Sequence, residues 1–221
     1  MFHDAVAAYR VYDLRTRFDA ESVAAVRSSA ARAGFLLVGE LHKRPETPRA
    51  IYTLMRTLDF HALALEWESD LEPLVSAYLA DGSDATEALS DNGRITPGHF
   101  ALLARLQSEG RLERLVLLDE TSRDWAGDWA ERDARMAQSL LRKRDLTLPM
   151  LVIVGEFHTR VVPQPGGVPL GALLAEVIPE LPVAVIRYGD TDSPRPIGRF
   201  GRGRDGRFVF ALPSEAPHSV A

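Results

Sequence analysis

Cysteine is absent from this 221-residue chain. Its absence excludes a disulfide framework, a thiolate metal site and a cysteine nucleophile, so any metal would have to be held by histidine and carboxylate. Long apolar runs are absent as well. None approaches the ~20 residues of a membrane-spanning helix, and the opening stretch MFHDAVAAYR is interrupted by Asp4 and Arg10. No membrane partner is expected, and the expected location is the cytoplasm. Positive charge is not in excess either: the formal net charge is −5 and the pI about 5.7. Lys and Arg are dispersed and form no concentrated basic footprint of the kind that phosphate-backbone binding needs, so nucleic acid is not an expected partner. Linkers rich in Pro, Gly or Ser are also missing. The expectation is a single α/β domain over residues 1–212 with a tail at 213–221; nothing in the sequence specifies an oligomeric state.

Apolar residues, at 46% of the chain, are enough for a sizeable core. Five short runs have strand length: Phe35–Val38, Ala62–Leu65, Leu115–Leu118, Leu151–Val154 and Val183–Arg187. They are apolar nearly throughout instead of alternating, which suits strands covered on both faces of a parallel sheet. Segments of helical spacing lie between them. Ala20–Ala31 follows Asp19 as a candidate N-cap, Thr47–Leu58 gathers Ile51, Leu54, Met55 and Leu58 on one stripe, and Trp129–Arg142 does the same with Met136, Leu140 and Leu141. This order predicts an α/β fold: a mainly parallel central sheet flanked by helices. Glu72–Leu106 reads as a helical insertion after the second predicted strand, broken near Gly82 and Asn92-Gly93. The chemistry of the chain changes after Pro194, where IGRFGRGRDGRFVFAL predicts a C-terminal hairpin turning at Asp205-Gly206, its arginines forming a solvated edge.

One phrase is written almost twice. Residues 36–44 read LLVGELHKR and residues 152–160 read VIVGEFHTR. In each, an aliphatic strand ends in Gly, Glu, one large apolar residue and His, with Arg two residues further on. Ligands of an open parallel sheet sit beyond the carboxyl ends of its strands, which is where both phrases fall. The second and third predicted strands deliver Glu66 and Glu68, and Asp119 and Glu120, to the same rim. A lone His at a strand end is most often structural; two at equivalent ends, with carboxylates converging on them, point to a site.

The ordered combination of YDLRTRF, GELH, ALEWE, RDARMAQSLLR, GEFH and VPLGALLAE over residues 11–180 resembles the erythromycin esterase, ChaN-like, TIKI and TraB superfamily, whose mark is a pair of G-x-x-H motifs. The spacing is most similar to the ChaN-like branch. The resemblance implies that Glu40, His42, Glu66 and His158 line the site, with Glu156 as an addition, and that Arg132, Asp133 and Met136 belong to a bracing helix. Erythromycin esterases carry one more residue between Glu and His and are longer, so macrolide hydrolysis is not expected.

Two mechanisms are open to these residues. His42, His158 and Glu66 could hold a divalent cation (Mn, Co, Zn or Fe) that activates water, with Glu40 or Glu156 as general base. Without metal, one His serves as base, a Glu orients it, and Arg44 or Arg160 faces the developing oxyanion unless these arginines are merely solvated caps. Either makes the chain a hydrolase of an amide or ester bond, with a peptide or a small-molecule ester as substrate. The competing class is a ligand-binding protein, with haem on His42 or His158 as ChaN-like relatives suggest; a scaffold without catalysis is the third. The remaining candidates have plainer readings. His3, His61 and His99 are expected at the surface or as helix caps, Trp67, Trp125 and Trp129 as packing groups, and Asp119 and Glu120 as acids at the start of the next helix.

Overall fold

The computed structural model describes residues 1–121, 127–189 and 197–213. Its helices and strands are α1 (Phe2–Ala8), β1 (Thr16–Phe18), α2 (Ala20–Ala33), β2 (Phe35–Glu40), α3 (Thr47–Leu58), β3 (Ala62–Glu68), α4 (Glu72–Asp81), α5 (Pro97–Ser108), β4 (Arg114–Asp119), α6 (Trp129–Lys143), β5 (Met150–Gly155), α7 (Leu170–Val177), β6 (Val183–Arg187), β7 (Gly198–Arg202) and β8 (Phe208–Ala211). The eight strands form one sheet in the order β1-β7-β8-β6-β2-β5-β3-β4. Every pairing is parallel except β7 with β8.

The expected mainly parallel α/β architecture is therefore present. β2, β3 and β5 are buried along their whole length because helices cover both faces, which is why these strands carry no polar alternation. Leu36, Val38, Leu63, Leu65, Leu151 and Ile153 face one layer, where they meet Ile51, Leu54 and Met55 of α3 and Leu102, Leu103 and Leu106 of α5. Phe35, Leu37, Ala62, Ala64, Val152 and Val154 face the other, against Met136 and Leu140 of α6 and Leu170 and Leu174 of α7.

Handedness explains which helix goes where. From β2 the chain steps through β3 to β4 in one direction, and from β4 it returns through β5 to β6 in the other. Right-handed crossovers then require the outgoing helices, α3 to α5, on one face and the returning helices, α6 and α7, on the opposite one. β2 and β5 are hydrogen-bonded neighbours, yet their connections leave for opposite faces. The crevice that opens between such strands lies beyond their carboxyl ends.

The helical insertion is made of α4 and α5, broken at Gly82, the left-handed C-cap of α4 (φ 77°), and by the turn through Gly93. The C-terminal hairpin forms as β7 and β8, closed around Gly206, and β8 joins the main sheet through β6. Asp19 caps α2 by accepting the Ser22 N–H at 2.8 Å. β1, α1 and α7 are too short to leave a readable period in the sequence. Residues 214–221 of the expected tail, Pro194 and Trp125 lie outside the described residues. Among the described residues no helix is long and apolar enough to cross a membrane.

Candidate active site

The two repeated phrases lie side by side. β2 and β5 pair in parallel with Glu40 opposite Gly155, so the copies are out of step by one residue. That offset gives the two glutamates different fates. Glu40 is the last residue of β2 and is buried against His42, whereas the chain turns at Gly155 into a single 3-10 turn, Glu156–Thr159. The turn sends His158 and Thr159 inward and Glu156 outward, where it takes the Arg187 guanidinium at 2.6 Å.

Glycine precedes each Glu where neighbouring groups leave a side chain little room. A methyl on Gly155 would lie 3.3 Å from His42 Nε2 and 3.4 Å from His158 Cδ2, so both imidazoles rest over the same point of backbone. On Gly39 it would meet the Glu156 backbone and the Thr159 side chain, both at 3.0 Å.

Each histidine has its own carboxylate. His42 Nδ1 contacts Glu40 Oε1 directly, and His158 Nδ1 lies 2.6 Å from Asp133 Oδ1. Asp133, fully buried on α6, uses its other oxygen to accept the first N–H of α7, from Leu170, at 2.7 Å. The second pair is thus anchored between two helices. His42 is a third exposed at its side chain, and His158 about a tenth.

Below the histidines lies a buried ionic network. Glu66 Oε2 accepts the Gly155 N–H at 2.7 Å, while Oε1 faces Arg132 at 3.0 Å, Arg94 at 3.4 Å and His158 Nε2 at 3.6 Å. Arg132 also grips Asp119 at 2.6 Å, and Arg94 grips Glu68 at 2.6 Å. Burial pushes the Glu66 carboxyl upward, but His158, Arg132 and the Gly155 N–H outweigh it and its pKa is lowered overall. Burial depresses His158, but Asp133 and Glu66 outweigh that too, and its pKa is raised. His158 is therefore held toward the imidazolium form between two carboxylates.

Of the expected site residues, the structure brings together Glu40, His42, Glu66, His158, Arg132 and Asp133. Three are left apart. Glu156 pairs with Arg187; Arg160 bonds Gln164 at 2.6 Å and covers the Phe157 ring; Arg44 lies over the Tyr188 ring at 4.8 Å. Asp119 corrects the sequence reading. It is not an acid of the next helix, because α6 begins only at Trp129 with Asp128 as its cap, and its carboxylate binds Arg132 and Thr121 instead. Glu120 turns away to Arg142. Met136 and Trp67 are packing groups, and Trp129 meets Phe157 edge-on at 4.8 Å. His3 lies beside Asp84 and His61 beside Glu113, while His99 is buried as a capping residue of α5, its pKa pushed down by burial to about 4. Arg94 is the principal residue that sequence reasoning missed. Its only signal is a turn at Asn92-Gly93 within the helical insertion.

The donor set does not fit the expected cation. Both oxygens of Glu66 are committed to a backbone N–H and two guanidiniums, and both ring nitrogens of His158 face carboxylates that favour its charged form. A divalent ion here would replace existing positive charges, and ligation needs neutral imidazole. Among the described residues no group of three His, Asp or Glu is arranged to hold a metal ion. Haem fits no better, since the groups gathered around the two imidazoles are carboxylates and guanidiniums, not the apolar surface that would cover a porphyrin face.

No family model and no curated protein matches this chain. Solved structures do. One, described as bacterial protein toxins, has a TM-score of 0.53 at 16% identity, covering 95% of this chain and 40% of that one. Another is the C-terminal region of Pasteurella multocida toxin, described as having a thiol-protease-like catalytic triad; it has a TM-score of 0.49 at 12% identity, covering 88% of this chain and 26% of that one. The chain thus spans less than half the length of either protein. At such identities the first likeness concerns the fold alone.

Proposed function

We propose that the chain is a hydrolase of an amide or ester bond, on a peptide or small-molecule ester, that activates water with the His42–Glu40 pair and uses no metal. We also infer that its relationship is to the erythromycin esterase, ChaN-like and TIKI superfamily, through the paired G-x-x-H motifs. The observation that carries the reading is the meeting of two His–carboxylate pairs over Gly155, one partly open and the other buried. In this scheme Glu40 holds His42 by Nδ1, and Nε2 takes a proton from water as hydroxide adds to the substrate carbonyl. His158, held as imidazolium by Asp133, and the guanidiniums beneath it stabilise the oxyanion. Collapse of the tetrahedral adduct then returns the proton from His42 to the leaving alcohol or amine. Arg94 and Arg132 take the electrostatic part that the sequence reading gave to Arg44 and Arg160.

The test is hydrolysis of a panel of p-nitrophenyl esters and short peptides by the wild type, His42→Ala, His158→Ala and the double variant. Each single change should remove about all of the activity, with the double hardly worse, because residues that act as a unit are non-additive. Turnover that survives in both single variants would overturn the scheme.

A further inference from the structure

Glu40 has a second set of partners. Its Oε2 lies 3.4 Å from Thr47 Oγ1 at the start of α3. Thr47 Oγ1 lies 2.7 Å from the hydroxyl of Tyr188, the residue just after β6. That hydroxyl accepts the Leu41 N–H at 3.3 Å, and the Arg44 guanidinium covers the Tyr188 ring. Two strand ends, those of β2 and β6, and the start of α3 therefore meet around one carboxylate.

Proton counting orders this chain. An ionised carboxylate only accepts, so the bond between Thr47 and Glu40 must use the single hydroxyl proton of Thr47. The proton between Thr47 and Tyr188 must then come from Tyr188, whose oxygen already accepts the Leu41 N–H. The phenol retains it: burial, and next the charge of Glu40, push its pKa well above the usual tyrosine range. On the other side of Glu40, the carboxylate can only accept from His42 Nδ1.

We propose that Tyr188 and Thr47 are positioning residues that fix the proton order Tyr188 to Thr47 to Glu40; by holding Glu40 Oε2 they keep Oε1 on His42 Nδ1, and because an ionised carboxylate only accepts, His42 is left protonated at Nδ1. Their value to catalysis rests on the hydrolase reading; the proton order does not. Neither residue stands in the repeated phrases, and Tyr188 comes from a strand that carries no copy of them.

The tautomer of neutral His42 is measurable without a substrate, by 15N NMR of histidine-labelled protein above the imidazole titration range, with the resonance assigned by His42→Gln. The wild type should be mainly the Nδ1–H form. Thr47→Val and Tyr188→Phe should each lower the ratio of Nδ1–H to Nε2–H by about two- to tenfold, the size of one net hydrogen bond. Thr47→Ser, which keeps the hydroxyl, should restore it, a recovery that a purely structural role would not require. Tyr188→Phe keeps the ring and its Arg44 contact, so it remains informative if Thr47→Val fails to fold. A wild type mainly in the Nε2–H form, or an unchanged ratio in folded Tyr188→Phe, would overturn the proposal. A tautomer that responds in a protein hydrolysing no ester or amide would support the proton order and sink the hydrolase reading instead.

Discussion

Replacing Glu66 by glutamine removes one negative charge from the centre of the buried network while keeping the side chain's shape. The carboxylate is 3% exposed and receives the Gly155 N–H at 2.7 Å and Arg132 at 3.0 Å. A glutamine amide can accept only one of these donors; its NH2 must face the other. Breaking a buried ion pair by removing one partner costs about 3–5 kcal/mol. Arg132 and Arg94 keep Asp119 and Glu68, so the low end of that range, about 3 kcal/mol, applies here. For a chain of this length each kcal/mol moves the melting temperature by roughly 2–4 °C, which gives a drop of about 6–12 °C. Glu156 is the control. Its pair with Arg187 is 29% exposed at Glu156 and 44% at Arg187 and is worth at most ~1 kcal/mol, so Glu156→Gln should lower melting by less than about 4 °C. Calorimetry of both variants beside the wild type at neutral pH decides the matter. Equal shifts for the two glutamates, or a Glu66→Gln protein that melts like the wild type, would refute the ionic network as a source of stability.

Other predictions use the same geometry. The raised His158 pKa contributes stability that is complete below its ordinary 6.5 and lost as pH climbs through the folded value, whereas the lowered Glu66 pKa contributes stability complete above 4.5 and lost as pH falls through its folded value. Melting temperature should therefore peak between those two values, and His158→Gln should flatten the alkaline limb in a pH series of thermal melts. Gly155→Ala inserts a methyl 3.3 Å from His42 Nε2, so the rings must shift; kcat/KM should fall by up to about 100-fold while the melting temperature stays near that of the wild type. Prolonged treatment with a chelator should alter neither turnover nor melting, and loss of either that is restored by added divalent cation would overturn the metal-free mechanism.

The parts of the fold legible in the sequence are those where one physical demand governs a whole segment. β2, β3 and β5 must be covered on both faces and so read as unbroken apolar runs, and the stripes of α3 and α6 follow from each having one buried side. β1 escapes such reading because its three residues pair only with β7, which lies far along the chain. The site divides in the same way. His42, Glu40, Glu66 and His158 sit at strand ends, where a polar group after an apolar run stands out. Asp119 stood out too, but sequence alone does not show that α6 begins ten residues later or that Arg132 reaches back from it. Arg94 and Tyr188 are visible only through tertiary contacts. Arg94 is carried in by the turn on which the loop after β2 rests, since Lys43 packs against Gly93 so closely that no side chain fits there.

Two copies of one phrase do not make two copies of one role. A shift of a single residue between β2 and β5 leaves Glu40 on its strand to hold His42, and expels Glu156 so that His158 must find its carboxylate elsewhere. It finds Asp133, which is locked by the N-terminus of α7 and buried completely. The consequence is electrical. His158 lies between Asp133 and Glu66 and is drawn toward the charged form, whereas His42 touches Glu40 and lies partly open to solvent. The proposed chemistry, a proton acceptor beside a positive charge, needs this inequality, because two equivalent histidines would compete for the same proton. The register offset supplies it, and Glu66→Gln should erode it: with one of its two flanking carboxylates gone, His158 should titrate at lower pH, readable by NMR in the same variant whose melting is measured. If the His158 titration is unmoved by that change, the inequality does not come from the network beneath it.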